Sequence, residues 1–332
     1  MRFWDHRRVL VTGGCGFLGS YLVEELVANH AFVTVVDNLQ SGTLDSLSSV
    51  RGEVEFVHAD LRSRETCKKV SSGFDCVMNL AGLAYGLEYS MKHHGEMLYD
   101  NVAIQCHMLE AARVSGVERF LMVSSSCVYP DDAPIPTPEL EAVIGLPESV
   151  NEGYGWAKRV GELQAKYYYA EYGMKIAICR PFNPYGGRYS WRGDKSHVIP
   201  TLVKRVLDGE DPLVVWGSGK QRRSFLHARD TVRLMMMITE GYAAGSPVNI
   251  GYDDDISISE LVSLICEASG RQPRVIFDTS KPEGRFRKCA DPTLLRKVTR
   301  NYRPRIDLRE GIVEMVEWYK RAFSEEQLCS RT

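Results

Sequence analysis

The sequence predicts an α/β fold, a doubly wound parallel sheet with a smaller, mixed α/β C-terminal part. Three observations carry that prediction. Six β-rich runs, VLVTG, VTVVD, VEFVHAD, CVMNLAG, RFLMVSS and KIAICRP, alternate with segments patterned as helices. The first run leads into a glycine-rich turn, GGCGFLG, and the second ends in an acid, Asp37. Alternation of this kind covers both faces of a parallel sheet with crossover helices.

In chain order, Val9, Leu10 and Val11 form the first strand, the glycines turn the chain, and FLGSYLVEELV continues as a helix. Gly14, Gly16 and Gly19 match G-x-G-x-x-G, while Gly13, Gly16 and Gly19 satisfy a looser G-x-x-G-x-x-G. Small residues let the backbone turn tightly and approach a pyrophosphate held at the helix N-terminus. Glycine turns are common, so it is the strand, turn, helix and second strand in succession that point to a dinucleotide. Gly13, Gly16, Phe17, Leu18 and Gly19 are therefore expected at the cofactor. Asp37, with Asn38 beside it, falls about twenty residues past the glycines, where a carboxylate takes the ribose hydroxyls. A carboxylate there repels a 2′-phosphate, which favours NAD over NADP, with Arg62 and Arg64 as the opposing signal. Asp60 and Leu61 follow the third strand, and Leu80 and Ala81 the fourth. These strand ends are where such sheets bind ligands.

The fifth strand ends in three serines, Ser124 to Ser126. The run NEGYGWAKRVGE then sets Tyr154 and Lys158 four apart. Residues at that spacing are neighbours on a helix. Lys158 can lower the Tyr154 phenol from about 10 toward a usable base, as hydride chemistry on an alcohol requires. By itself this pair is equally a feature of an ordinary helix surface. After PFNPYGGRYSWRGDK the regular alternation breaks into shorter elements, with VNIG and RVIFD as short strands. Residues 1–181 are expected to bind the cofactor, with segments near 225–252 returning to that part, and residues 182–332 to bind mainly substrate.

Composition narrows the class. The 332 residues carry a formal net charge of −2, which gives no footprint for nucleic acid. No apolar run approaches the roughly 20 residues that span a bilayer, and nothing suggests membrane attachment. Nine cysteines stand without C-x-x-C pairs or metal spacing. Reduced thiols, a cytoplasmic location and no metal follow as expectations.

At RFLMVSSSCVYP the chain resembles the extended short-chain dehydrogenase/reductases that act on nucleotide sugars, and the resemblance runs nearly end to end. It implies a Rossmann-type fold, NAD, a nucleotide-sugar substrate and a homodimer made by two helices from each subunit. It also implies a triad of Ser125, Tyr154 and Lys158, with Ser124 and Ser126 as adjacent alternatives for the serine. Tyr154 would exchange the hydroxyl proton, Ser125 orient the sugar oxygen, and Lys158 hold the nicotinamide ribose. Asn101 and Pro181 would join the cofactor contacts, and Asn183 would touch the sugar or phosphate.

Dehydratases of this family carry Asp and Glu where this chain has Ser126 and Cys127. The segments SSSCVYP, SHVIPTL, VVWGSGKQRRSFLH and FDTSKPEGRFRK instead resemble the branch containing GDP-fucose synthase and GDP-mannose 3,5-epimerase. In that branch the cysteine corresponding to Cys127 abstracts protons beside a keto group, and His197 matches a second acid/base. The chemistry is sound on general grounds, because a ketone at C4 acidifies the hydrogens on C3 and C5. A thiol near 8.5 and an imidazole near 6.5 can share proton exchange at neutral pH. A buried structural cysteine and histidine would look the same in sequence. Arg223 and Arg287 are candidate clamps for a diphosphate, Trp216 could stack on the base, and Ser126, Asn183, Lys195, Val198 and Lys281 complete the expected substrate contacts.

The expected activity is therefore that of an NAD-dependent nucleotide-sugar epimerase acting on a GDP-hexose or related GDP-sugar. It would work through transient C4 oxidation and C3/C5 proton exchange by Cys127 and His197. The alternatives are a UDP-sugar 4-epimerase, a GDP-sugar C4 dehydrogenase or reductase of the GDP-fucose synthase type, and a non-catalytic NAD-binding sensor. The intact Ser125, Tyr154 and Lys158 set argues against the sensor.

Overall fold

A computed structural model describes residues 3–189, 196–281 and 284–329. The first half alternates strand and helix: β1 (Arg8–Thr12), α1 (Phe17–Ala28), β2 (Phe32–Asp37), β3 (Val54–His58), α2 (Arg64–Val70), β4 (Cys76–Asn79), α3 (Leu87–Lys92), α4 (His94–Val114), β5 (Arg119–Val123), α5 (Glu152–Tyr172) and β6 (Lys175–Pro181). Shorter elements follow: β7 (Pro184–Tyr185), α6 (Val198–Leu207), β8 (Leu213–Trp216), β9 (Arg222–Arg223) and β10 (Leu226–His227). Next come α7 (Ala228–Gly241), β11 (Ala244–Ile250), β12 (Ile256–Ser257), α8 (Ile258–Ser269), β13 (Val275–Asp278), β14 (Arg287–Lys288), α9 (Thr293–Val298) and α10 (Leu308–Cys329).

Seven strands form one parallel sheet in the order β11-β6-β5-β4-β1-β2-β3. The run VNIG is the end of β11, which pairs with β6 through Ile250 opposite Pro181. It completes the large sheet because α7 supplies one more crossover.

Alternation along β1 sends Val9 and Val11 to one face and Leu10 to the other. The first face is packed by Leu22 and Leu26 of α1 and Val232 and Met235 of α7. Met108 of α4, Ala165 of α5 and Cys67 of α2 pack the second. A separate apolar core joins Val203 of α6, Leu213 of β8, Leu261 of α8 and Met315 of α10. No helix among the described residues is long and apolar enough to cross a membrane.

The order of strands reverses between β1 and β4, and a crevice opens there at their carboxyl ends. Thr12 bridges it by donating to Asn79 Oδ1 at 2.6 Å and accepting from the Ala81 amide at 3.2 Å.

Candidate active site

A cleft of about 940 Å³ lies over this switch point and extends to α6 and β8. Its nucleotide end is lined by Gly13, Gly16, Phe17, Leu18, Gly19, Asp37, Asn38, Asp60, Leu61, Leu80 and Ala81. Gly13 has a positive φ of 67°, and a Cβ there would come within 2.8 Å of the Ala81 amide. A Cβ on Gly19 would collide with the Gly13 carbonyl. Gly14 instead faces the core, where a Cβ would meet Val35 at 2.6 Å, so the looser glycine spacing is the one exposed to the cleft. This backbone cradle, open only because it lacks side chains, fits a dinucleotide pyrophosphate.

Asp37 accepts hydrogen bonds from the Cys15 amide at 3.0 Å and the Leu39 amide at 2.8 Å, which fix its carboxylate at the end of β2. Burial pushes its carboxyl above the usual range, and those amides pull the other way. Arg62, the counter-signal for NADP, also lines the cleft but is tied to Asp60 at 2.6 Å and Asp100 at 3.2 Å. Asn101 does not line the cleft. It is fully buried, accepting from the Leu83 amide at 3.0 Å and donating to the Leu83 and Met97 carbonyls at 3.1 and 2.7 Å, and so braces the loop after β4 from behind.

The middle of the cleft brings together Ser125, Ser126, Cys127, Tyr154, Lys158, Pro181 and Asn183. Ser125 stands beside the Tyr154 phenol, whose proton affinity it lowers, and accepts from the Cys127 amide at 3.1 Å. Ser124 is buried with its hydroxyl on Glu162, which itself holds the buried Arg180 guanidinium at 2.7 and 2.5 Å. Ser125 is thus the hydroxyl presented beside the phenol.

The expected effect of Lys158 on Tyr154 is not what the geometry produces. Burial pushes the Tyr154 phenol up, Cys127 adds to the rise, and only Ser125 opposes it. The Lys158 ammonium sits 5.3 Å from the centre of the phenol ring and donates to the Val123 carbonyl at 2.8 Å. Burial lowers Lys158 to about 8.

Cys127 and His197 line the same cleft. The Cys127 thiol is raised to about 12, chiefly by burial, with Lys288 opposing and Glu148 reinforcing the rise. His197 is lowered to about 4, again chiefly by burial, and Lys288 adds to the fall. Its Nε2 is buried without a hydrogen-bond partner among the described residues, and Tyr189 packs edge-on with ring centres 5.0 Å apart. At neutral pH the pair is a thiol and a neutral imidazole.

Glu148 and Lys288, which sequence reasoning missed, also line the cleft. Lys288 Nζ donates to both Glu148 oxygens at 3.0 Å. An isolated carboxylate in a loop carries no periodic signal, but the RK pair of β14 holds one clue. Strand alternation must turn its two side chains apart. Arg287 accordingly faces away, paired with Asp255 and absent from the cleft lining, so the proposed clamp at that position fails and Lys288 takes its place in the wall.

At the outer end, Val198, Trp216 and Arg223 line the cleft. Lys281 does not; its ammonium sits 5.7 Å from the centre of the Trp216 ring, on the rim. Lys195 lies outside the described residues.

Comparison with known proteins agrees with this geometry. The model of the NAD dependent epimerase/dehydratase family matches residues 9–251. A GDP-mannose 3,5-epimerase from Oryza sativa subsp. japonica is 28% identical over 329 residues, covering 98% of this chain and 85% of the relative. A probable GDP-L-fucose synthase from the same plant is 30% identical over 317 residues, covering 94% and 92%. The structure of a UDP-glucose 4-epimerase from Thermotoga maritima, solved with UDP-glucose, superposes with a TM-score of 0.86 at 27% identity, covering 95% of this chain and 99% of that one. With the family model spanning the sheet, the glycine cradle and the Ser125, Tyr154 and Lys158 set, this chain belongs to the NAD dependent epimerase/dehydratase family.

Proposed function

We propose that the protein epimerises a nucleotide sugar, a GDP-hexose or related GDP-sugar, through transient oxidation at C4 and proton exchange at C3 or C5. The observation that carries this reading is the placement of Cys127 and His197 in one cleft with Ser125, Tyr154 and Lys158. A simple 4-epimerase has no use for the first two. The GDP assignment is supported by the two rice relatives, which match over at least 94% of this chain.

The glycine cradle and Asp37 would hold NAD, which would supply a reversible hydride acceptor for C4. The protein's own residues do the rest. Ser125 orients the C4 oxygen, Tyr154 takes and returns its proton, and Lys158 holds the ribose side of the site. Burial raises the proton affinity of the phenol, so a cation beside it is needed to release the proton. Cys127 and His197 handle the ring hydrogens that the C4 ketone acidifies. Asn183, held by its amide on the Ser224 carbonyl at 2.9 Å, and Ser126 are positioned for the sugar. Arg223 and Trp216 are positioned for the diphosphate and base.

The same reading divides the chain into a cofactor part, residues 1–181 with the segment around 225–252, and a substrate part within 182–332. A homodimer is supported by Trp156, Val160, Leu163 and Tyr167, which leave an exposed apolar stripe along α5 beside Leu98 and Tyr99 of α4. A cytoplasmic location is supported by the eight cysteines whose side chains are described, all free.

Incubating the protein with UDP-, GDP- and dTDP-sugars in deuterated water, with NMR detection at each sugar carbon, tests the reading. A GDP-sugar that gains deuterium at C3 or C5 is the expected result. The second reading, a UDP-sugar 4-epimerase, is favoured by the Thermotoga maritima superposition. Clean C4 inversion of a UDP-sugar without ring deuterium would select it.

A further inference from the structure

We propose that Glu148, fixed by Lys288 and Asn151 and tied through its backbone amide to the Cys127 carbonyl, is a positioning residue that sets the place of Cys127 in the cleft and the charge beside its thiol. This rests on the reading of Cys127 as a proton-exchanging group. Glu148 and Lys288 are 5% and 8% exposed, so a full ion pair is sequestered in the cleft wall. Burying two charges is costly unless each is well partnered. Lys288 meets both carboxylate oxygens at 3.0 Å, and the Asn151 amide donates to Oε2 at 2.8 Å. Glu148 and Lys288 both line the cleft beside Cys127 and act on the proton affinity of its thiol.

The backbone ties the two segments together. The Glu148 amide donates to the Cys127 carbonyl at 3.2 Å. Gly155, next to Tyr154, packs so tightly on both segments that a Cβ there would lie 2.6 Å from that carbonyl and 2.5 Å from Pro147. The segments carrying Tyr154, Cys127 and Glu148 are therefore held in one fixed relation. Burial alone would raise the Glu148 carboxyl, but Lys288 and Asn151 outweigh it and hold it at about 2, so Glu148 stays a carboxylate. A carboxylate beside a thiol opposes thiolate formation, and a nearby ammonium favours it. Glu148 and Lys288 thus act on Cys127 in opposite directions.

The test is alkylation of Cys127 by iodoacetamide, followed by peptide mass spectrometry on the whole protein, with Cys127→Ser as the blank. In Glu148→Gln, Lys288 is left beside a thiol without its carboxylate, and alkylation at neutral pH should accelerate at least threefold. Each unit lost from the thiol's proton affinity gives about tenfold more thiolate, of which weaker nucleophilicity removes about threefold. An unchanged or slower rate in a folded variant overturns the proposal. Should Glu148→Gln fail to fold, Glu148→Asp decides, since it keeps a charge opposite Lys288 but withdraws it by one methylene: alkylation of Cys127 should again accelerate. An unchanged or slower rate in that variant overturns the proposal. The epimerase reading fails separately, if wild type exchanges no C3 or C5 hydrogen of any nucleotide sugar while these alkylation results stand.

Discussion

Arg287 and Lys288 are neighbours in the chain and partners of different carboxylates: Lys288 grips Glu148 inside the cleft, while Arg287 pairs with Asp255 on the other side of β14. The two cations should therefore respond differently to the same change. Lys288→Met leaves a buried carboxylate unpaired and should cost about 3 to 5 kcal/mol. Arg287→Met should cost about 1 kcal/mol or less, because Arg287 is partly exposed and Arg222 still holds Asp255. Urea unfolding of both variants measures the difference. Equal losses would mean that the Glu148 pair is not sequestered.

Tyr154→Phe should keep the fold and the cofactor but lose about 10² to 10⁴ in hydride transfer, because one hydroxyl is removed and the ring packing remains. Stopped-flow reduction of bound NAD by substrate is the measurement. A wild-type rate would assign the base to another residue.

NAD should bind more than tenfold more tightly than NADP, since Asp37 is fixed by two backbone amides and Arg62 is engaged by Asp60 and Asp100. A tenfold preference corresponds to about 1.4 kcal/mol. Calorimetric titration of stripped protein would show it, and Asp37→Ser should narrow the gap. Equal affinity for the two cofactors would remove the basis for a retained NAD.

Cys127→Ser and His197→Asn should each retain C4 oxidation, because Ser125, Tyr154 and Lys158 are untouched, and each should lose completed inversion at C3 or C5. Deuterium incorporation and product stereochemistry, run beside wild type, separate the two steps. Full inversion in both variants would make the pair structural.

His197 also gives a signed dependence of stability on pH. Its folded value of about 4 lies below the ordinary 6.5, so the folded state binds fewer protons between those limits. Its contribution is complete above 6.5 and is lost as pH falls toward 4, by up to about 3 kcal/mol. The melting temperature of His197→Asn should therefore fall less steeply than that of wild type across this window. Parallel curves would show that the imidazole is not buried neutral.

Much of the fold was legible because six strands announce themselves as β-rich runs ending in glycine, acid, serine or proline. The seventh was legible only as the short strand VNIG, since Gly245, Ser246 and Pro247 interrupt β11 and its partner β6 is remote in sequence. In the site, the glycine spacing and the Tyr154 and Lys158 pair carry local signals. What those groups experience does not. The rise of the Tyr154 phenol comes from burial created by distant segments, and Glu148 becomes chemically significant only when β14 brings Lys288 to it. A two-residue strand is too short to phase, which is why Arg287 was taken for its neighbour.

The position of β11 bears on how this chain can be cut. A fragment ending at Pro181 would contain the glycine cradle and the Ser125, Tyr154 and Lys158 set, yet β6 would become an open edge, with unpaired amides and carbonyls ready to join another chain. It would also lose Val232 and Met235 of α7, baring the apolar face that includes Leu121, Ala177 and Cys179. Such a fragment should aggregate rather than bind nucleotide, and on the ribosome the sheet cannot close until residue 250 has emerged.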